Sequence, residues 1–233
     1  MNIIFDHRAG LGKITQMDFI YAPCAAYPLP SEELQAVESG WAKNEWSSDG
    51  DWYQARQVRV ATYAKPKMRR PAFLSFSLST GIEAIDRFDE YEAVCDAYRA
   101  HHKFSAHLNL RQTIETDVEQ KRALTCSIGS RIAAFTIMRL GRGYISSLQF
   151  CWDYADRGLR LGYIMQDEEC LRAAAMGFRH LYIGPGYELA CAYKARLDGF
   201  QWWTGGGWSD DGDEYQRLCL RDTEASRFEE IAF

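Results

Sequence analysis

The stretch from Arg131 to Phe200 constrains what this chain can fold into more than any other part of it. Ala123–Ile128, Arg131–Leu140 and Tyr144–Trp152 are strand-like runs separated by glycine turns at Gly129 and at Gly141-Arg142-Gly143. From Leu159 to Met176 the pattern becomes helical, with Leu161, Ile164, Met165, Leu171 and Ala175 as the apolar stripe and Gly177 just past the end. His180–Gly184 then predicts a short buried strand. In the order strand, strand, helix, strand, the helix N-terminus faces the gap between the strands on either side of it. Its free N–H groups and dipole suit a phosphate or a developing negative charge.

Upstream the pattern is looser. Residues 1–30 mix short apolar runs with Gly and Pro and predict short strands and loops. Ser31 predicts the N-cap of a short helix reaching Glu38, with Leu34 and Val37 on one face and Gly40 as its stop. Trp52 to Tyr63 alternates and predicts one strand, and Phe73–Leu78 predicts another. Asp86 to Lys103 predicts a helix carrying Phe88, Tyr91, Val94, Cys95 and Tyr98, and residues 105–120 are polar and weakly helical. Tyr215–Leu220 is expected to be the last strand. The whole reads as an α+β (α/β sandwich) chain. Its expected division is an N-terminal lobe over residues 1–85 and a second domain over residues 86–233.

Composition narrows the function. A hydrophobic content of 47% over 233 residues supports a sizeable core, and a formal charge of -5 argues against a generic nucleic-acid binder. The seven cysteines form no C-x-x-C pair and lie mostly in apolar stretches, which suits reduced thiols in a cytoplasmic protein rather than a disulfide frame or a zinc ribbon. The N-terminus lacks a signal-peptide apolar region and no run approaches the length of a membrane span, so neither secretion nor a membrane partner is expected.

Strand hairpin, helix and strand form the skeleton of the GCN5-related acyltransferase (GNAT) fold, and three ordered motifs refine that likeness. Cys151-Trp152-Asp153-Tyr154 with Arg157-Gly158-Leu159-Arg160-Leu161-Gly162-Tyr163 resembles the F-x-D-P-x-x-x-x-x-S-L-G-x-Y segment of the tRNA–protein aminoacyltransferases. Those are the eukaryotic arginyltransferases and the bacterial aspartate/glutamate leucyltransferases. Met176-Gly177-Phe178-Arg179-His180-Leu181-Tyr182-Ile183-Gly184 is similar to their L-G-x-x-Y-x-Y-L-G-Y, and Ala192-Tyr193-Lys194-Ala195-Arg196-Leu197 to their M-x-Y-K-x-x-F/Y-R-P. Glu38-Ser39-Gly40-Trp41, Gln57-Val58-Arg59-Val60 and Asp89–Tyr98 match further family segments more loosely, in the family's order. Two places depart. Trp52-Tyr53-Gln54-Ala55-Arg56 stands where the family carries a cysteine cluster, which argues against a metal site there. The loop from Gly184 to Tyr193 is shorter, and holds Gly-Pro-Gly-Tyr-Glu where the family has bulky and basic residues.

The resemblance implies aminoacyl-tRNA as donor, an amine as acceptor, and no resident cofactor. The ester is already activated, so such an enzyme must position two reactants, accept a proton and stabilise an oxyanion. Asp153, at the end of an apolar strand, is the first candidate to orient or deprotonate the ammonium, with a turn cap as its other reading; Glu188 is the second, and Tyr187 adjoins it. Arg157 and Arg160 flank the helix start at Leu161 and Gly162 and could clamp the tRNA end. Tyr187, Tyr193 and Lys194 could hold the terminal adenosine, and Lys65, Lys67, Arg69 and Arg70 could meet the acceptor stem. Trp202-Trp203 before Thr204-Gly205-Gly206-Gly207-Trp208 reads as an aromatic lid or a packed hairpin turn. His101 and His102 read as surface residues. The acceptor stays open between a protein N-terminus and a small-molecule intermediate. An acetyl-CoA-dependent N-acetyltransferase is the main competitor, but Arg157–Gly162 has the wrong glycine spacing for a pyrophosphate loop. A non-catalytic binding protein on the same fold is the other.

Overall fold

A computed structural model describes residues 2–5, 24–45, 50–63, 65–102, 109–187 and 189–224. In chain order the elements begin with β1 (Asn2–Phe5), β2 (Cys24–Tyr27), α1 (Glu33–Glu38), β3 (Trp41–Lys43), β4 (Trp52–Gln54), β5 (Gln57–Ala61) and β6 (Leu74–Thr80). Next come α2 (Gly81–Asp86), α3 (Phe88–His102), α4 (Leu110–Glu115), β7 (Lys121–Ile128), β8 (Arg131–Leu140), β9 (Ile145–Trp152) and α5 (Leu161–Ala175). The chain continues through β10 (His180–Pro185), β11 (Phe200–Trp203), β12 (Trp208–Ser209) and α6 (Gly212–Asp222).

The strands make two sheets. A small one has the order β1-β2-β4-β3, and a large one the order β12-β11-β5-β10-β9-β8-β7-β6. The large sheet thus takes β5 and β6 from before residue 85 and six strands from after it. Its neighbours are antiparallel except β9 and β10, the pair connected through α5.

Alternation decides which side chains each face offers. Ala134, Met138, Ile145, Leu181 and Val60 face α5 and pack on its Leu161, Ile164, Met165 and Ala173. Ala123, Phe135, Ile137 and Cys151 face the other way, beneath α2, α3 and α4. Val58, Phe200 and Trp202 meet Tyr215, Leu218 and Cys219 of α6. A layer of helices on each face of a mixed sheet is the α+β sandwich expected, with the strand–strand–helix–strand core in place. Helix starts are locally encoded: Thr80 and Glu83 close a reciprocal capping box on α2, and Asn109 and Asp211 accept from Gln112 and Glu214 N–H groups on α4 and α6.

Several sequence expectations are corrected. Tyr215–Leu220 is helical, inside α6; Asp211 caps it, and Tyr215, Leu218, Cys219 and Asp222 are its buried stripe. Trp52–Tyr63 is two strands in two sheets, β4 and β5. They part at Ala55-Arg56, where the Arg56 side chain turns into the core to meet Asp222. The helix expected from Asp86 is α3, which begins at Phe88 just after the short α2 ends, and α1 starts at Glu33, with Glu32 rather than Ser31 in the cap position. On α5 the buried stripe runs through Leu161, Met165, Glu169 and Ala173, while Leu171 and Ala175 lie off it. The Trp202–Trp208 segment is a packed hairpin. Trp203 fills the place a Cβ of Gly40 would take, and the φ of 77° there also favours glycine, while the Arg59 guanidinium stacks 4.0 Å from the Trp208 ring centroid.

The small sheet is fastened to the large one by buried charge. Glu45 accepts from Arg139 Nε and Lys121 Nζ, both at 2.7 Å, and Asp117 accepts from Lys43 at 2.6 Å and Arg139 at 2.9 Å. Burial lowers the Lys121 ammonium to about 8, even with Glu45 drawing it back up.

Candidate functional site

The parallel strands β9 and β10 pair at only two registers, Ile145 with Leu181 and Ser146 with Tyr182. Beyond these β9 continues to Trp152 and β10 to Pro185 without pairing to each other. The large sheet therefore opens into a gap toward the C-terminal ends of the two strands. A bulge in β9 sits at the closed end: Met138 pairs with Ser147 but Ile137 pairs with Gln149, leaving Leu148 extra.

The start of α5 lies at the open end. Arg160 precedes it with φ 53° and no side-chain cap, so the helix N-terminus carries no protein acceptor from that residue. At Gly162 the helix packs beside Trp152, whose ring would make an ordinary contact with a Cβ there at 3.6 Å. Leu161 is buried beneath the helix. Around Trp152 gather Tyr98 (4.6 Å between centroids), Phe150 (4.9 Å) and Tyr154 (5.3 Å). His101 stacks on Tyr154 at 3.5 Å, and His102 Nε2 lies 2.6 Å from the Tyr154 hydroxyl. The two histidines, read from sequence as plain surface residues, are thus exposed members of an aromatic platform beside the gap.

At the closed end lies a residue the sequence reading did not single out. Glu169 is buried under α5, and its Oε1 accepts from the Thr136 and Ser147 hydroxyls. Its Oε2 meets only the Gln166 amide, at 3.4 Å, among the described residues. Burial pushes its carboxyl up to about 7, and the two hydroxyl bonds pull it down only in part. The signal was present in the sequence: Glu169 falls at the i+4 and i+8 positions from Met165 and Leu161, an acid on a buried stripe.

The predicted residues distribute as follows. Asp153 is half-buried at the end of β9; its carboxylate accepts from Arg131 at 2.8 Å and from the Ala155 N–H at 2.8 Å, so it both pairs and caps a turn. Arg157 lies in the 3-10 turn Tyr154–Leu159. Arg160 is exposed at the start of α5. Tyr187 is buried, and its hydroxyl accepts from the Arg56 N–H at 2.7 Å. Glu188 lies outside the described residues. Tyr193 is half exposed on the 3-10 segment Leu189–Arg196, within electrostatic reach of both Glu169 and Tyr163.

Lys194 points inward. Its ammonium donates to the carbonyls of Ile183 and Pro185 at 2.8 Å and of Gly184 at 3.3 Å, along the splayed end of β10. In the basic loop, Lys67 pairs with Asp198 at 2.7 Å and Arg70 bridges Asp167 and Glu168 of α5. Lys65 and Arg69 are exposed. The structure thus brings Asp153, Arg160, Gly162 and Tyr193 around the gap, and uses Tyr187, Lys194 and Arg70 to tie elements together.

Among the described residues, no group of three or more His, Cys, Asp or Glu is placed to hold a metal ion, and no helix is long and apolar enough to cross a membrane. Six of the cysteines are free and buried.

No family model matches the chain, and no curated protein matches it. Solved structures do resemble it. A domain assigned as the C-terminal part of a putative lysylphosphatidylglycerol synthetase from Agrobacterium fabrum aligns with a TM-score of 0.45 and 14% identity, over 70% of this chain and 54% of that one. A GCN5-related N-acetyltransferase from Kribbella flavida aligns with a TM-score of 0.39 and 14% identity, over 67% and 55%. L-PGS from Bacillus licheniformis aligns with a TM-score of 0.42 and 13% identity, over 65% and 49%. The chain spans about half the length of these three proteins. At such identities their names describe those proteins and not this chain.

Proposed function

We propose that this protein is a cytoplasmic aminoacyltransferase that moves an aminoacyl group from tRNA onto an amine. The observation that carries the reading is the opening between β9 and β10 at the start of α5. A sheet that loses its pairing there offers unpaired backbone groups to a bound carbonyl at its closed end and, about 12 Å along α5 at its open end, a helix N-terminus to a phosphate. Such backbone groups are the donors that an acyl-transfer oxyanion needs.

The choice of donor rests on the helix start. Arg160 and Gly162 stand where a CoA-binding loop would need glycines free to wrap a pyrophosphate, and Gly162 is already committed to contact with Trp152. Arg160 on the surface and the Tyr98–Trp152–Tyr154 platform suit a phosphate and a stacked base of a tRNA end. Asp153, at the mouth of the same opening, draws the acceptor ammonium in before it reaches the transfer point. The acceptor is a protein N-terminus or a small amine.

The test is to incubate the purified chain with a set of radiolabelled aminoacyl-tRNAs and amine acceptors and score loss of label from each. Consumption of acetyl-CoA without consumption of any aminoacyl-tRNA overturns the proposal in favour of an N-acetyltransferase.

A further inference from the structure

Glu169 is a carboxyl group without the partner that normally accompanies a buried one. Among the described residues its hydrogen-bond partners are Thr136, Ser147 and Gln166, all neutral. Elsewhere in this protein buried carboxylates are matched by cations: Asp222 by Arg56, Glu45 by Arg139 and Lys121, Glu168 by Arg70 and Arg172. A buried acid lacking such a match is poorly held as a carboxylate and readily takes up a proton.

Its position is as specific as its chemistry. Pairing between β9 and β10 ends at Ser146, and Ser147 is the next residue, on the bulge at the closed end of the gap. Ser147 is partly exposed and its hydroxyl reaches Glu169 Oε1 at 3.4 Å, while Thr136 holds the same oxygen from β8. One hydroxyl thus bridges the gap and the hidden acid.

We infer that Ser147 and Glu169 form a proton relay for the acceptor amine, with Ser147 Oγ touching the attacking nitrogen and Glu169 storing the proton. This rests on the aminoacyl-transfer reading. The neutral amine attacks the acyl carbon and the C–N bond forms. The surplus proton on nitrogen passes to Ser147 Oγ as the serine's own proton passes to Glu169. When the C–O bond to the tRNA 3′ oxygen breaks, the movement reverses and the departing oxygen takes the proton. The relay ends as it began, and nothing beyond the two substrates is consumed. Ser147 is the catalytic residue; Glu169 acts through it and is a positioning residue and proton store.

The other titratable groups facing Glu169 do not compete near neutrality. The Cys170 thiol on α5 is pushed up by burial to about 12, and the Tyr193 phenol, on the segment after β10, is raised by desolvation of its hydroxyl end. From β8 and β9 the hydroxyls of Thr136 and Ser147 touch it.

The experiment measures transfer from a labelled aminoacyl-tRNA to a mixture of tripeptides differing in their N-terminal residue, from about pH 5.5 to 9, for the full chain and for Glu169→Gln, Ser147→Ala and Thr136→Val. Beside the limb at about 8 that the acceptor amine itself gives in every variant, wild type should show a rate that rises through an ionisation near 7. Glu169→Gln and Ser147→Ala should lower kcat by about 100-fold or more, leave KM for the aminoacyl-tRNA within about twofold, and lose that rising limb. Thr136→Val should keep the limb but move it to higher pH, because a hydrogen bond to the charged form is gone. If Glu169→Gln does not fold, judged by circular dichroism, the other two variants decide. Retention of kcat and of an unmoved limb in Ser147→Ala and Thr136→Val overturns the relay while leaving aminoacyl transfer intact. If the wild type consumes no aminoacyl-tRNA with any acceptor, the parent reading fails and the relay with it.

Discussion

Arg56 Nη1 donates to Asp222 Oδ2 with both side chains fully buried, joining the break between β4 and β5 to the last turn of α6. The pair is reinforced by Gly186 O, which accepts from the same guanidinium at 3.3 Å, and by the Arg56 N–H on Tyr187. Removing one partner of a buried pair leaves the other charge uncompensated. Asp222→Ala should cost about 3–5 kcal/mol in urea unfolding, and Asp222→Asn less. An Asp222→Ala protein of wild-type stability would show that water compensates Arg56.

Lys194 neutralises three carbonyls at the splayed end of β10. Burial lowers its pKa, so the ammonium is held against a desolvation cost by those bonds. Lys194→Met should therefore destabilise by roughly 1–3 kcal/mol while leaving tRNA affinity per folded molecule nearly unchanged. A filter-binding loss larger than the loss of folded protein would mean the ammonium reaches the nucleic acid instead.

Glu169 makes folding pH-dependent with a definite sign. Its carboxyl titrates near 7 when folded against an ordinary value of 4.5, so the native state binds the proton more tightly than the unfolded chain. Its presence carries no penalty below the ordinary value; the penalty grows as pH rises toward 7 and is complete above that. At about pH 8 Glu169→Gln should be more stable than wild type, by on the order of 3 kcal/mol, and the difference should vanish below about pH 4.5. Urea melts of both proteins at the two pH values read this directly.

Asp153 sits at the open end of the gap in a pair with Arg131. Asp153→Asn keeps the turn cap to the Ala155 N–H and removes the charge. Slower transfer with tRNA binding nearly intact is the expected outcome. Strong loss of binding without an effect on transfer contradicts a role in handling the ammonium.

Lys65 and Arg69 are exposed in the basic loop, as is Lys67, which pairs with Asp198. Replacing Lys65 and Arg69 by Gln should flatten the salt dependence of tRNA binding by about 0.7–0.9 in log–log slope for each phosphate deprived of its cation. An unchanged slope would assign the loop to fastening α5 alone, through Lys67, Arg70 and the Asp167 carboxylate.

Periodicity made much of this fold legible. β7, β8, β9 and α5 each carry enough residues for their period to stand out, and their Gly turns separate them cleanly. α6 did not stand out, because the six residues Tyr215–Leu220 are too short a window for a period, although 215, 218 and 219 fall at helical spacing; the deciding features, Asp211 as cap and Asp222 as a buried end, lie outside that window. The break at Ala55-Arg56 is invisible locally, since what turns Arg56 inward is a carboxylate far along the chain. The site divided the same way. Asp153, Arg160 and Gly162 follow from their place at a strand end and helix start. Lys194 looked like a ligand for the terminal adenosine because the carbonyls it meets lie well before it in sequence, along the end of β10 that leaves β9. Glu169 escaped notice because a stripe read for apolar residues passes over an acid.

The place of β5 between β10 and β11 has a consequence for synthesis. Val60 pairs with Leu181 on one side and Phe200 on the other, so about 140 residues emerge from the ribosome between this strand and its second neighbour. At about 5–20 residues per second the wait lasts roughly 7–28 s. Until β10 has been made the nascent chain carries a short strand, Val58 and Val60 alternating with Gln57 and Arg59, with two open edges. The sheet cannot close until β11 has been made, and a ribosome stalled before it presents a chaperone with that strand.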